Sequence, residues 1–189
     1  MANFMQQTHF AGVLPPEHIS LTLQNCRRYM NEKYGCKSGH STPIHVTLIP
    51  PFCLPKEFSS KDLTDSLEEK IFHINDSLAF TAAVDGFSAF ADRTIFAKVV
   101  PSEEWVRLRD LVLSSVLSVA SSCTKKDKRP FQPHLTVANR DIPEGASTKA
   151  LQVLSELNLK EEFLVDNVTF FERKANQWIP VFSCVLEQK

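Results

Sequence analysis

Two short segments of this chain carry a histidine followed two residues later by a threonine, in nearly the same context. One reads His-Val-Thr-Leu from His45, the other reads His-Leu-Thr-Val from His134, and a proline lies one or two residues before each. Alternate residues of a β-strand point to the same side, so each histidine shares a face with its threonine, Thr47 or Thr136. The aliphatic residues take the opposite face, where helices can bury them. Each segment can therefore present an imidazole and a hydroxyl to a cleft.

Two imidazoles and two hydroxyls in one cleft suit transfer at phosphorus without a metal ion. A neutral imidazole can remove a proton from the attacking group while an imidazolium protonates the leaving oxygen, since a pKa of about 6.5 lets both forms coexist near neutrality. The threonine hydroxyls can donate hydrogen bonds to the non-bridging oxygens, where negative charge must be held. The histidines at 45 and 134 are 89 residues apart, close to half of the 189-residue chain. A duplicated fold would place the two strands at equivalent positions, facing each other.

The elements that position these segments are predicted from the spacing of apolar residues and from capping signals. Strands are predicted over residues 8–14, 44–49, 78–90, 94–100, 133–138, 163–171 and 178–186, with the prolines at 50 and 51 ending the second of them. Helices are predicted from Pro16 up to Gly35, after the capping box of Ser59 and Asp62, after Ser102, and over 144–159. Helices and strands do not alternate strictly. We therefore predict an α+β protein with helices on a largely antiparallel sheet, forming one compact domain over residues 1–189 with two similar lobes.

Composition narrows the class of protein. The 21 Lys and Arg residues nearly balance the 22 Asp and Glu residues, which argues against a protein that wraps long duplex DNA or RNA. The five glycines form no glycine-rich phosphate loop, so we expect no ATP dependence and no cofactor. Five scattered cysteines favour neither a disulfide framework nor a zinc site, and so indicate a reducing cytoplasm. No secretory signal is visible, and no apolar run is long enough to cross a membrane.

The two motifs resemble those of the 2H phosphoesterase superfamily, and within it the group of 2′-5′ RNA ligases and RNA 2′,3′-cyclic phosphodiesterases. The likeness extends in the order of elements over nearly the whole chain, including the segment Phe87–Phe96. It implies a bilobal fold of two duplicated ferredoxin-like halves around a central cleft, and metal-independent hydrolysis of cyclic phosphates or 2′-5′ linkages. By this resemblance His45 is the acid that protonates the leaving 3′-oxygen and His134 is the base that activates water, with Thr47 and Thr136 binding the phosphate. From the residues alone, the two histidine roles are interchangeable.

The function expected from these features is a metal-independent phosphodiesterase whose substrate is an RNA terminus or a small cyclic nucleotide. Three alternatives stay open: a 2′-5′ phosphodiesterase, a module that binds RNA or a nucleotide without hydrolysing it, and RNA joining by the reverse reaction, which needs no ATP. We expect a cytoplasmic monomer that requires no protein partner, no membrane and no metal ion.

Further residues are weaker candidates. Arg140 comes one residue later than the arginine that follows the second motif in many relatives. The basic run Lys125–Arg129 is expected to be a solvated loop, with guidance of a nucleic-acid backbone as its alternative. Phe52 and Phe131 are expected in the core, although either ring could stack a base. His9 is expected to be a wall residue. Of the remaining histidines, two lie near predicted helix ends and need no function, and one lies in the loop before the first motif: His18, His73 and His40.

Overall fold

The computed structural model describes residues 7–121 and 130–187, so the basic run Lys125–Arg129 lies outside the described residues. Within those ranges the elements are β1 (His9–Val13), α1 (Glu17–Tyr34), β2 (Val46–Phe52), α2 (Ser60–Phe72), β3 (Phe80–Phe90), β4 (Thr94–Val99), α3 (Glu103–Ala120), β5 (His134–Asn139), α4 (Ala146–Ser155), β6 (Lys160–Val165), β7 (Asn167–Lys174) and β8 (Gln177–Val185). The mixture of helices with one antiparallel sheet confirms the predicted α+β class. None of the helices in the described ranges is both long enough and apolar enough to cross a membrane.

Local signals in the sequence set the boundaries of the first two helices, as predicted. Helix α1 ends at Gly35, which adopts a left-handed conformation with φ 73° that a side chain would disfavour. Helix α2 begins after Ser59, whose backbone N–H donates to the Asp62 carboxylate at 2.7 Å, as a capping box requires. The apolar stripe of α1, including Ile19 and Leu23, is buried in the core. Capping and periodicity together therefore fix where these helices lie along the chain.

One eight-stranded antiparallel sheet forms the frame, in the order β6-β3-β4-β5-β2-β1-β7-β8. The two strands that carry the histidine motifs, β2 and β5, are neighbours at its centre. A single residue pair, Val46 with Leu135, joins them in the ladder, whereas each pairs with its outer neighbour over several residues. Positions 46 and 135 are again 89 residues apart. This pair therefore marks the pseudo-twofold axis between the two motifs.

The helices divide between the two halves of the sheet in an interleaved way. Helices α2 and α3 pack on each other, with α3 against β2 and α2 against β8, whereas α1 packs against β5 and α4 against β3. Each half therefore combines elements from early and late in the chain. Helix α1 thus packs on β5, the strand of the second motif, although α1 precedes the first motif in the chain.

The predicted closing hairpin is wrong in its first strand. The segment 163–171 is two strands, β6 and β7, separated by one residue. Strand β6 pairs with β3 at one edge of the sheet, whereas β7 lies between β1 and β8 near the other edge. Burial of apolar side chains alternates in β6, where Phe163 and Val165 are buried, but in β7 it is continuous from Val168 to Phe171. The break at Asp166 therefore separates a strand at the edge of the sheet from a strand inside the sheet that is buried on both faces.

Strand β2 also runs further than predicted, through Pro50 and Pro51 to Phe52. Proline lacks a backbone N–H, so it interrupts a strand that has hydrogen-bonded neighbours on both sides. Here β2 pairs with β5 only at Val46, and its ladder with β1 is irregular towards the end of β2. The two prolines lie where one side of β2 needs no donor, and the strand continues past them.

Candidate active site

Three of the four predicted site residues lie on the two central strands, Thr47 on β2 and His134 and Thr136 on β5, and His45 directly precedes β2. The ladder between β2 and β5 consists of one pair, and extending its antiparallel register by one residue in each direction would set His45 across from Thr136 and Thr47 across from His134. All four side chains are half-buried, whereas the residues that alternate with them along the strands are buried. Both imidazoles and both hydroxyls therefore lie on the same side of the sheet.

Both imidazoles are held by the same kind of hydrogen bond. Nδ1 of His45 donates to the carbonyl oxygen of Pro43 at 2.8 Å, and Nδ1 of His134 donates to the carbonyl oxygen of Gln132 at 2.8 Å. A carbonyl can only accept, so Nδ1 carries the proton in each ring. The nitrogen that gains or loses a proton is therefore Nε2 in both histidines, and each ring is fixed in orientation by its own main chain.

Each imidazole also packs against two phenylalanine rings, one from the adjacent strand of the sheet and one from the strand beyond it. The ring of His45 lies 4.7 Å from Phe10 and 5.6 Å from Phe171, measured between ring centroids. The ring of His134 lies 5.1 Å from Phe90 and 5.2 Å from Phe96. These aromatic pairs exclude water from one side of each histidine and restrict its movement. Sequence reasoning did not select them as site residues, because their position depends on the order of strands in the sheet.

Close approach of β1 to the first motif depends on a glycine. Gly12 lies opposite Thr47 in the ladder between β1 and β2. A Cβ atom at this position would lie 2.7 Å from the carbonyl oxygen of Val46 and 3.2 Å from Cδ2 of His45. The first distance is shorter than any that real Cβ atoms adopt, so a larger residue would push β1 or the imidazole away. Gly12 is therefore part of what lets His45 pack against Phe10.

A buried arginine of α1, Arg27, forms hydrogen bonds to the second motif and to the loop before the first motif. Arg27 donates from Nε and Nη2 to the carbonyl oxygen of Thr136 at 3.3 and 3.1 Å, and from Nη1 to the carbonyl oxygen of Thr42 at 2.6 Å. Among the described residues, no aspartate or glutamate forms an ion pair with it, and burial lowers its pKa to about 10. Arg27 ties the second motif strand to the loop before the first one, at the seam where the ladder between β2 and β5 stops.

The sequence profile of the 2′-5′ RNA ligase superfamily matches residues 15–177, a span that includes both histidine motifs. The chain belongs to the 2′-5′ RNA ligase superfamily. No curated protein sequence matches it. Membership of this family, together with the likeness to the solved structures below, confirms the predicted resemblance to the 2H phosphoesterases.

Solved structures of similar proteins share the fold over almost the full length. E. coli LigT in complex with 3′-AMP has a TM-score of 0.65 at 19% identity, covering 96% of this chain and 99% of LigT. TT0787 of Thermus thermophilus has a TM-score of 0.65 at 20% identity, covering 96% of this chain and 99% of that protein. The PDE domain of MHV ns2 has a TM-score of 0.52 at 15% identity, covering 96% of this chain and 97% of that domain. At 15–20% identity, these similarities establish the fold of this chain and nothing about its substrate.

Burial shapes the acid–base behaviour of both histidines. The pKa of His45 is lowered to about 4, mainly by burial, with smaller contributions from the positive charges of Arg27 and His134 and an opposing effect of the Pro43 carbonyl. Burial also lowers the pKa of His134, against the opposing effect of the Gln132 carbonyl. Both imidazoles are therefore predominantly neutral near pH 7.

The weaker candidates lie away from these four side chains. Nε2 of His9 is 3.0 Å from Oγ of Ser60 at the start of α2, so this buried histidine is engaged by a helix. Phe52 is buried in the core, as expected. Phe131 is partly buried, with the guanidinium of Arg109 5.4 Å from its ring.

Three further candidates, Arg140, His18 and His73, are exposed. Arg140 follows β5 in a left-handed conformation with φ 72°, and its backbone N–H donates to the carbonyl of Arg93. Nε2 of His18 lies 3.9 Å from the Glu161 carboxylate. His73 caps the end of α2. Within residues 7–121 and 130–187, no group of three or more histidine, cysteine, aspartate or glutamate side chains is arranged to hold a metal ion.

Replacing the buried arginine tests the link between the two motifs. In the variant Arg27→Met the carbonyls of Thr42 and Thr136 lose their donors, so we expect the free energy of unfolding to fall by about 1–3 kcal/mol. The pKa of His45 is expected to rise, because a nearby positive charge that disfavours the imidazolium is removed. Urea unfolding and an NMR titration of the histidines measure the two effects. The control is Arg107→Met, at an exposed position of α3. An unchanged pKa of His45 in Arg27→Met would contradict the electrostatic link.

Proposed function

We propose that this protein is a metal-independent phosphodiesterase that hydrolyses a 2′,3′-cyclic phosphate, on an RNA end or a small nucleotide, with His45 and His134 as its acid–base pair. The observation that supports this most is the matched pair of Nδ1–H bonds to main-chain carbonyls. These bonds leave an Nε2 on each imidazole for proton transfer. Membership of the 2′-5′ RNA ligase superfamily supports chemistry at phosphodiester bonds of RNA.

The proposed reaction is a displacement of one phosphate oxygen by water. One imidazole accepts a proton from water at Nε2 while the water oxygen forms a bond to phosphorus. The bond from phosphorus to one ribose oxygen breaks, and that oxygen takes the proton from Nε2 of the other imidazole, which leaves a phosphomonoester. Thr47 and Thr136 donate hydrogen bonds from their hydroxyls to the non-bridging oxygens, where the extra charge is stabilised. Each proton transfer is typically worth about 10²–10⁴ in rate.

The family resemblance and the electrostatics of His45 favour opposite roles for the two histidines. The family resemblance assigns protonation of the leaving oxygen to His45 and activation of water to His134. Burial disfavours protonation of His45 and the charge of Arg27 adds to this effect, which favours the opposite order. A bound phosphate anion raises the pKa of both imidazoles, so the substrate itself prepares one of them as the acid.

Removing either imidazole tests the pair directly. We expect His45→Gln and His134→Gln each to lower kcat on a nucleoside 2′,3′-cyclic phosphate by about 10²-fold or more, measured in EDTA, because each removes one proton transfer. His18→Gln is the matched control, since it changes an exposed histidine on the surface of α1. Retention of wild-type turnover by either of the two site variants would sink the two-histidine mechanism.

The same assay separates the alternatives. Turnover of 2′-5′-linked oligonucleotides but not of cyclic phosphates would identify a 2′-5′ phosphodiesterase. Binding of nucleotides without turnover of either substrate would identify a non-catalytic module. Formation of a joined product from two held RNA ends would identify the reverse reaction, which requires a high effective concentration of both ends.

The pH dependence of kcat/KM follows from the lowered pKa values. The free enzyme reacts when one imidazole is neutral and the other protonated, so kcat/KM rises through the lower pKa, about 4 at His45, and falls through that of His134, which lies below 6.5. We therefore expect a bell-shaped profile with its maximum on the acid side of pH 6.5, whichever histidine is the acid. Steady-state rates over a pH range of about 4 to 9 measure it. A maximum near pH 8 would contradict the assignment of these imidazoles as the titrating groups.

A further inference from the structure

A polar cavity of about 720 Å³ lies beside the candidate active site. Its walls come from α1, from the loop before β2 and from the first residues of β8. The residues that give it chemical character are Gln24, Arg27, Arg28, Asn31, His40 and Trp178. This volume falls in the range of pockets that hold small organic ligands. The mechanism proposed above uses none of this space.

The cavity shares residues with the support of His45. Pro43 lines the cavity and also supplies the carbonyl that accepts the hydrogen bond from Nδ1 of His45. Trp178 lines the opposite wall and packs edge-on against Phe10, with 5.0 Å between ring centroids, and Phe10 in turn packs against His45. A molecule in the cavity would therefore be an immediate neighbour of one reacting at the two histidines.

The charge of the cavity favours an anion. Arg27 is buried with only carbonyl oxygens as its recorded acceptors, and Arg28 donates to the amide oxygen of Asn25 at 2.6 Å. Within the part of the chain that the structure describes, neither arginine forms an ion pair with an acidic side chain. A buried cation without a counter-charge is stabilised by an anionic ligand, and a guanidinium fork matches a phosphate group.

The cavity also offers an aromatic surface and amide groups. Trp178 is half-buried, so part of its indole is open to the cavity. Stacking on an indole suits any nucleobase, because every base has a π-face. Gln24 and Asn31, which extend from the same helix as the two arginines, supply donors and acceptors for base or ribose edges. Phosphate, base and sugar groups are therefore all matched within one cavity.

We propose that this cavity binds the nucleotide next to the reacting end of an RNA chain, with its phosphodiester anion against Arg28 and Arg27 and its base against Trp178. This inference rests on the proposed function and narrows it. The preferred substrate is an oligoribonucleotide end rather than a free cyclic mononucleotide, because only the oligonucleotide fills both the cleft and the cavity.

The test compares two substrates of the same chemistry. One is adenosine 2′,3′-cyclic phosphate, and the other is a short oligoadenylate that ends in a 2′,3′-cyclic phosphate. We expect wild-type kcat/KM to be at least about tenfold higher for the oligonucleotide, and Arg28→Gln and Trp178→Leu each to lower that ratio towards one. Arg107→Gln removes an exposed arginine of α3 outside the cavity and is expected to keep the wild-type ratio. A wild-type ratio near one, or a ratio unchanged in Arg28→Gln, would overturn the proposal.

Binding to a double variant separates this inference from the proposed hydrolysis. The double variant His45→Gln/His134→Gln is titrated with the oligoadenylate that ends in a cyclic phosphate. Adding Arg28→Gln is expected to raise the dissociation constant about tenfold. If the wild type turns over neither substrate but binding depends on Arg28, the hydrolysis proposal fails and the cavity assignment stands. If both substrates are hydrolysed equally well and binding is independent of Arg28, the cavity assignment fails and the hydrolysis proposal stands.

Discussion

A single antiparallel residue pair, Val46 with Leu135, joins the two halves of the sheet, and the arrangement of the candidate site depends on it. Both side chains of this pair are buried. Because side chains alternate between the two faces of a strand, the residues before and after each of them take the opposite face. Two histidines and two threonines occupy those positions. A register shift of one residue in either strand would bury an imidazole and expose an aliphatic side chain. Burial of the pair therefore fixes the direction of the chemical groups.

Where the pairing of β2 with β5 stops, Arg27 donates to the carbonyl of Thr136 in β5 and to the carbonyl of Thr42 in the loop before β2. Burying a guanidinium without an acidic partner is costly, because its hydration is only partly replaced by hydrogen bonds to carbonyls. Burial is the main cause of the lowered pKa of His45, and the charge of Arg27 contributes to it. Arg27 also lines the cavity next to the site. One buried cation thus links the stability of the seam, the protonation of a candidate catalytic group and the attraction of an anionic ligand.

The sequence predicted what depends on local pattern and missed what depends on the order of strands. The helix ends at Gly35 and Ser59, the α+β class and the two similar motifs all follow from capping, periodicity and repetition within short segments. The partners of His45, namely Phe10 and Phe171, come from strands that are remote in sequence but adjacent in the sheet. The interleaving of helices between the halves is non-local in the same way. The split of residues 163–171 into β6 and β7 also depends on the order of strands, because these two strands lie near opposite edges of the sheet.

The central claim is that the two imidazoles serve one phosphate group. A crystal structure of the protein with inorganic phosphate tests it most directly. The account predicts one phosphate within about 3.2 Å of Nε2 of both His45 and His134, with the hydroxyls of Thr47 and Thr136 donating to its oxygens. A phosphate held by only one of the histidines, or imidazoles too far apart to reach the same ion, would contradict it.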